Sequence, residues 1–127
     1  MVKGIYAGVW DLLHPGHLIA LCWAKHRCDH LTVALNVQPD HKARQPIETE
    51  SERHCRLEGC KYVDDIVSYK GEAELRQIYA TGKYQIAFIS KEHQNNFTDP
   101  SPARPVFVPR NTTNSSTSLK KRIKQKV

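Results

Sequence analysis

The regular alternation of short, β-prone apolar segments with longer segments of helical periodicity constrains the fold more than any other feature. Such alternation predicts parallel strands joined by right-handed crossovers, with helices covering both faces of the sheet. The predicted strands are 3–9, 31–37, 65–69, 84–89 and 105–108, and the predicted helices are 15–26, 50–60, 71–81 and 116 onward. We therefore predict one doubly wound α/β domain over residues 1–127.

The stretch GVWDLLHPGH, residues 8–17, lies where the first strand turns into the first helix. The first turn of a helix offers unpaired backbone N–H groups and a positive dipole end, which together suit a phosphate group. Pro15 fits the first helical position, and Gly16 lets a ligand approach the backbone closely. His14 and His17 are therefore candidate phosphate-binding residues. The alternative is that one of the two histidines merely caps the helix.

This stretch resembles the HxGH signature of the nucleotidyltransferase superfamily, in its cytidylyltransferase branch, where the run is close to GTFDLLHxGH. Residues 110–117, RNTTNSST, resemble that family's RTxGISTT element, and residues 62–67, YVDDIV, resemble the RYVDEVI segment of the bacterial glycerol-3-phosphate cytidylyltransferases. The resemblance implies a Rossmann-like domain with a five-stranded parallel sheet of order 3-2-1-4-5. It also implies transfer of CMP from CTP to a small phosphorylated alcohol, with release of pyrophosphate.

The resemblance assigns roles to particular residues. It implies catalytic roles for His14, His17, Lys42 and Arg110. It implies nucleotide binding by Gly8, Val9, Trp10, Asp11, Gly16, Arg110, Asn114, Ser115 and Ser116. Glu92 and His93 are further nucleotide-binding candidates on their own chemistry, since a carboxylate can accept from an exocyclic amine and an imidazole can stack on a base. It implies acceptor binding by Asp11, Lys42 and Arg53. Magnesium is expected to arrive with the nucleoside triphosphate, held mainly by phosphate oxygens and water.

Several of these residues also have a purely structural interpretation. Asp11 fits a carboxylate that orders its loop through backbone N–H groups better than it fits a base. Trp10 fits a core anchor, and Lys42 fits a solvated surface lysine equally well. Arg53 fits a surface salt bridge. Ser115 and Ser116 fit the N-terminal cap of the closing helix, a role that is compatible with phosphate binding.

Some positions depart from the family pattern. Val9 stands where the family commonly has threonine, and Asn114 where it prefers isoleucine. Residues 90–93, Ser-Lys-Glu-His, replace a glycine-acidic-acidic-tryptophan run that contributes to base and acceptor recognition. ATP is therefore an alternative to CTP as the nucleotide substrate. A second alternative is that the protein binds nucleotides but has impaired catalysis.

The distribution of charge and the composition indicate which kinds of binding partner to expect. Of a net charge of +6, five positive charges fall in the last eight residues, where Leu119, Ile123 and Val127 follow at helical spacing. This pattern favours the solvated face of an amphipathic helix over a nucleic-acid site. The chain contains no apolar run long enough for a membrane span and no export signal, so we expect a cytoplasmic protein with reduced cysteines. The resemblance also implies a homodimer.

Overall fold

The strands form one parallel sheet in the computed structural model, which describes residues 1–39 and 45–109. The strands are β1 Lys3–Gly8, β2 His30–Asn36, β3 Asp65–Tyr69, β4 Ile86–Ser90 and β5 Arg104–Val108. Their order is β3-β2-β1-β4-β5, and every neighbouring pair is parallel. The predicted fold class and strand order are confirmed.

Three α-helices connect the strands within the described residues. They are α1 Pro15–Lys25, α2 Glu50–Glu58 and α3 Gly71–Ala80, and a single turn of 3₁₀-helix, Lys91–His93, follows β4. Thr49 caps α2, because its hydroxyl accepts the N–H of Glu52 while the Glu52 carboxylate accepts the N–H of Thr49. The predicted closing helix from 116 onward lies outside the described residues. No helix in the described ranges is long and apolar enough to cross a membrane.

The core has one layer on each face of the sheet. Successive residues of a strand point to opposite faces, so Tyr6 packs on the side of α1 and α2, and Ile5 packs on the side of α3. Leu21 of α1 and Leu57 of α2 are fully buried on the first side. Because β1 lies in the centre of the sheet, its carboxyl end opens at the point where the strand order reverses, between β1 and β4.

The strands at the centre end one residue earlier than the hydrophobic pattern predicts. β1 stops at Gly8 instead of Val9, and β2 stops at Asn36 instead of Val37. The carbonyl oxygens of Val9 and Asn36 both accept hydrogen bonds from the guanidinium of Arg53, at 2.9 and 2.7 Å. A side chain from α2 therefore bonds to the backbone at the ends of these two strands.

Gly4 gives a test of the packing around β1. A Cβ atom at Gly4 would lie 2.6 Å from Cε2 of Phe88 and 3.1 Å from Sγ of Cys28. Phe88 is only 1% exposed, so its ring has no room to move. We expect Gly4→Ala to lower the free energy of unfolding by about 1–3 kcal/mol in urea titrations. The matched control is Gly59→Ala, because a Cβ there would meet its nearest neighbour at 3.6 Å. Equal urea midpoints for both variants would contradict this packing argument.

Candidate functional site

A cavity of about 630 Å³ opens at the carboxyl ends of β1 and β4. It reaches both faces of the sheet, since its lining includes residues beside α1 and residues beside α3. Nine of the residues predicted from the sequence line it together: Gly8, Val9, Trp10, Asp11, His14, Gly16, His17, Glu92 and His93. The structure therefore brings the strand–helix junction and the segment after β4 to one crevice.

The two histidines stack on each other at the start of α1. Their ring centroids lie 3.9 Å apart with an interplanar angle of 26°. Nδ1 of His14 accepts the backbone N–H of Gly16 at 3.0 Å, and Nδ1 of His17 accepts the backbone N–H of His14 at 3.2 Å. The pair thus forms a capping box in which imidazoles replace the usual hydroxyl and carboxylate.

These hydrogen bonds decide which ring nitrogen carries the proton. A nitrogen that accepts an N–H bond has no proton of its own, so each neutral ring is protonated at Nε2. Among the residues that the structure describes, neither Nε2–H group has a hydrogen-bond partner. His14 and His17 therefore bring two free N–H donors to the cavity that both rings line.

Both rings are neutral at pH 7. Burial lowers the pKa of His14 below its ordinary value. The pKa of His17 is lowered to about 4, chiefly by burial and also by the neighbouring His14, while the charge of Asp11 opposes this shift. The first turn of α1 adds partial positive charge beside the rings. The site consequently offers directional donors without placing two imidazolium charges side by side.

The turn between β1 and α1 has an unusual backbone. Trp10 has φ +55° and Leu12 has φ +48°, in the left-handed region that non-glycine residues seldom adopt. The carboxylate of Asp11 accepts the backbone N–H groups of Ile47 and Glu48, both at 2.9 Å. Asp11 therefore makes the contacts of the loop-ordering interpretation, and it does so across 36 residues of sequence.

Trp10 belongs to both the core and the cavity wall. It is 5% exposed, packs edge-on against Tyr6 at 4.9 Å, and donates from its indole nitrogen to the carbonyl of Ala34. Its ring also meets His17 edge-on at 5.6 Å. Trp10 thus has the contacts expected of a core anchor and also supports the second imidazole.

Arg53 is buried instead of lying at the surface. It is 2% exposed, it donates to the backbone carbonyls of Val9 and Asn36, and its Nε has no partner. It does not line the cavity, although Val9 does. No carboxylate within the described residues pairs with it. The structure therefore places a buried, uncompensated cation directly behind the cavity wall.

The rim of the cavity is formed by the segment after β4. The hydroxyl of Ser90 bonds to that of Tyr6 at 3.0 Å, which anchors the start of this segment to β1. The side chains of Glu92 and His93 are half exposed or more, and Nε2 of His93 lies 3.7 Å from Oε1 of Glu92. Both polar groups are therefore accessible to a ligand in the cavity.

The sequence reasoning missed one half of the lining and one buried carboxylate. Aromatic and apolar residues beside α3 close the cavity on that side, namely Tyr69, Leu75, Tyr79 and Phe97. Their only sequence signal is that Tyr69 ends a predicted strand at the same edge as the histidines. The carboxylate is that of Glu48, which accepts the backbone N–H of Leu12. The predicted residues Lys42, Arg110, Asn114, Ser115 and Ser116 lie outside the described residues.

Several known proteins resemble this chain in sequence. Glycerol-3-phosphate cytidylyltransferase of Bacillus subtilis strain 168 is 28% identical over 126 residues, which are 97% of this chain and 98% of that protein. The bifunctional protein HldE of Paramagnetospirillum magneticum is 37% identical over 79 residues, which are 59% of this chain and 16% of that protein. The chain thus spans nearly the whole Bacillus protein but only a small part of HldE.

Solved structures resemble the fold. The lipopolysaccharide core biosynthesis protein of Thermoplasma volcanium superposes with a TM-score of 0.72 at 21% identity, covering 87% of this chain and 98% of that chain. Pantothenate synthetase of Thermus thermophilus superposes with a TM-score of 0.57 at 16% identity, covering 85% of this chain and 55% of that chain. At these identities the likeness concerns the fold alone. The family model of cytidylyltransferase-like proteins matches residues 5–122, so the chain belongs to the cytidylyltransferase-like family.

Proposed function

We propose that this protein is a nucleotidyltransferase that transfers CMP from CTP to a small phosphorylated alcohol such as glycerol 3-phosphate and releases pyrophosphate. The observation that carries the proposal is the pair of free Nε2–H donors on His14 and His17 at the start of α1, inside a cavity at the reversal of strand order. Full-length similarity to the Bacillus enzyme supports the substrate class.

The reaction needs positioning and charge neutralisation more than covalent catalysis. A phosphate oxygen of the acceptor attacks the α-phosphorus of CTP, the new P–O bond forms, and the bond to the pyrophosphate leaving group breaks. The attacking phosphate is already ionised at neutral pH, so no general base is required. The Nε2–H groups of His14 and His17 donate to the phosphate oxygens whose charge changes during this step.

Cations are proposed to hold the rest of the charge. Arg53 supplies a fixed positive charge behind Val9 and favours an anionic acceptor near the ends of β1 and β2. Lys42 is proposed to reach the acceptor or α-phosphate. Arg110, Ser115 and Ser116 are proposed to hold the triphosphate. These roles follow from the family motifs that the residues match. Asn114, which departs from its motif, is proposed to change how its loop packs over the nucleotide.

The side chains that line the cavity fit a magnesium ion that is bound mainly by the triphosphate. Both carboxylate oxygens of Asp11 are occupied by backbone N–H groups, which leaves Glu92 as the open carboxylate of the described lining. A bound magnesium ion would neutralise triphosphate charge, with phosphate oxygens and water as its main ligands. The protein's own contribution is then to orient the chain of phosphates.

The choice of nucleotide is proposed to depend on residues 90–93. Glu92 is proposed to accept from the exocyclic amine of a base, and His93 is proposed to stack on it, since both residues line the cavity. Cytosine and adenine both carry an exocyclic amine, so ATP is the second candidate nucleotide. Pyrophosphate release should be measured with CTP and with ATP, each against a panel of phosphorylated alcohols. Turnover with CTP supports the proposal, and turnover with ATP alone replaces it. Binding of CTP without turnover indicates an impaired nucleotide-binding protein.

His17→Ala should strongly slow pyrophosphate release, because it removes one donor to the oxygens of the migrating phosphoryl group. The fold should stay intact, because only one helix-capping bond is lost with the ring. A loss of about 10²–10³ in kcat is typical for the removal of such a donor. The matched control is His54→Ala, since His54 lies on α2 and pairs with Glu58 at the surface. A near-wild-type rate for His17→Ala would overturn the assigned role, provided that circular dichroism shows both variants folded.

The neutral state of His17 should make stability depend on pH. Its pKa is about 4 in the folded protein and near 6.5 in an unfolded chain, so the unfolded state binds more protons between these values. Lowering the pH from 7 to 5 should therefore decrease the free energy of unfolding by on the order of 2 kcal/mol from this group. Below about pH 4 both states are protonated, and this contribution levels off.

The matched variant for this pH effect is His17→Gln. The glutamine carbonyl can accept the backbone N–H of His14 in the same capping box but does not titrate. Urea unfolding at pH 7 and pH 5 should show a smaller pH dependence for His17→Gln than for the unmodified protein. Equal slopes for the two proteins would show that His17 is not held neutral by burial.

A further inference from the structure

We propose that Glu48 is a positioning residue, whose buried carboxylate holds the β1–α1 turn in the shape that places His14 and His17 in the cavity. The inference rests on the proposed function, because it concerns the same site. The family motifs quoted above assign no role to this position, and the composition of its segment is that of an ordinary polar loop.

The main contact is a hydrogen bond to the backbone of Leu12, which holds that residue in an unfavourable left-handed conformation. The N–H of Leu12 donates to Oε1 of Glu48 at 2.8 Å, and Glu48 is 6% exposed. Leu12 has φ +48° and lies two residues before His14. A leucine left free would return to negative φ, because its Cβ is crowded in the left-handed region. Such a change would rotate the chain just ahead of the helix cap.

The contact is one of several reciprocal hydrogen bonds between the β1–α1 turn and the segment before α2. While Glu48 accepts from Leu12, the carboxylate of Asp11 accepts from the backbone N–H groups of Ile47 and Glu48. Each segment therefore holds the backbone of the other through charge-assisted hydrogen bonds. Three such bonds fix the turn from one side, and Arg53 fixes Val9 just before it.

The second carboxylate oxygen of Glu48 connects these hydrogen bonds to α2. Oε2 pairs with Nε of Arg56, whose side chain is about half exposed, on α2. This ion pair offsets the cost of burying the carboxylate. The turn that carries the histidines is thereby linked to α2 through Glu48.

Four variants separate the hydrogen bond from the charge. Glu48→Ala removes both, and Glu48→Asp keeps the charge but withdraws the carboxylate by one methylene. Glu48→Gln keeps an oxygen that can accept from Leu12 but loses the ion pair. Arg56→Gln removes the exposed partner only. Steady-state pyrophosphate release gives kcat and KM for CTP, and NMR titration of the imidazole C–H signals gives the pKa of His17.

We expect Glu48→Ala and Glu48→Asp to lower kcat about 10- to 100-fold, with KM for CTP changed less than about threefold. Glu48→Gln and Arg56→Gln should stay within about threefold of the unmodified kcat, because the bond to Leu12 survives. In Glu48→Ala and Glu48→Asp the loosened turn admits water, so the pKa of His17 should rise from about 4 toward its ordinary value.

Three results would overturn the inference. The first is an unmodified kcat and an unmodified His17 titration in both Glu48→Ala and Glu48→Asp. The second is a loss of activity that only matches the loss of folded protein, while His17 in the folded fraction titrates as before. The third is a Glu48→Gln variant as impaired as Glu48→Ala. If the unmodified protein releases no pyrophosphate with any nucleotide, the proposed function fails, and the His17 titrations still decide the role of Glu48.

Discussion

The backbone N–H groups at the start of α1 donate to imidazole nitrogens, and the chemistry of the site depends on this choice of acceptor. An aspartate cap would satisfy the same N–H groups but would leave no donor for a ligand, because an ionised carboxylate only accepts hydrogen bonds. An imidazole has two nitrogens, so His14 and His17 use Nδ1 for the helix and keep Nε2–H for a ligand. The two interpretations that the sequence left open, capping and phosphate binding, therefore do not compete for the same atom.

The sequence predicted the fold well because the fold depends on local patterns. The hydrophobic pattern predicted every strand of the sheet, and the bounds of β3 agree with the structure. At the ends of β1 and β2 the hydrophobic pattern runs one residue too far. The carbonyls of Val9 and Asn36 bond to Arg53, and a contact over 44 or 17 residues of separation leaves no periodic signal.

The same limit explains which parts of the site the sequence could not predict. Nine of the residues that line the cavity were predicted from the sequence, because they lie in one contiguous motif or follow one strand. Glu48 lies in a polar, proline-containing segment where a glutamate is ordinarily solvated, and its burial depends on Leu12, 36 residues away. Arg53 lies on a strongly charged helix where an exposed salt bridge is the usual outcome. Both side chains bond to backbone atoms. Every residue has the same backbone groups, so the residue types in the sequence do not reveal such a partner.

The buried arginine and the neutral imidazoles complement each other electrostatically. The buried guanidinium of Arg53 contributes a positive potential beside Val9. Two imidazolium rings in the same crevice would add like charges and repel both each other and Arg53. Burial instead keeps His17 neutral, with a pKa of about 4, and lowers the pKa of His14 as well. The positive charge is thus supplied by the fixed guanidinium behind the cavity wall. The orientation of a bound ligand is set by the neutral N–H donors at the surface of the cavity. A polyanionic ligand can use both, since it is attracted by the first and oriented by the second.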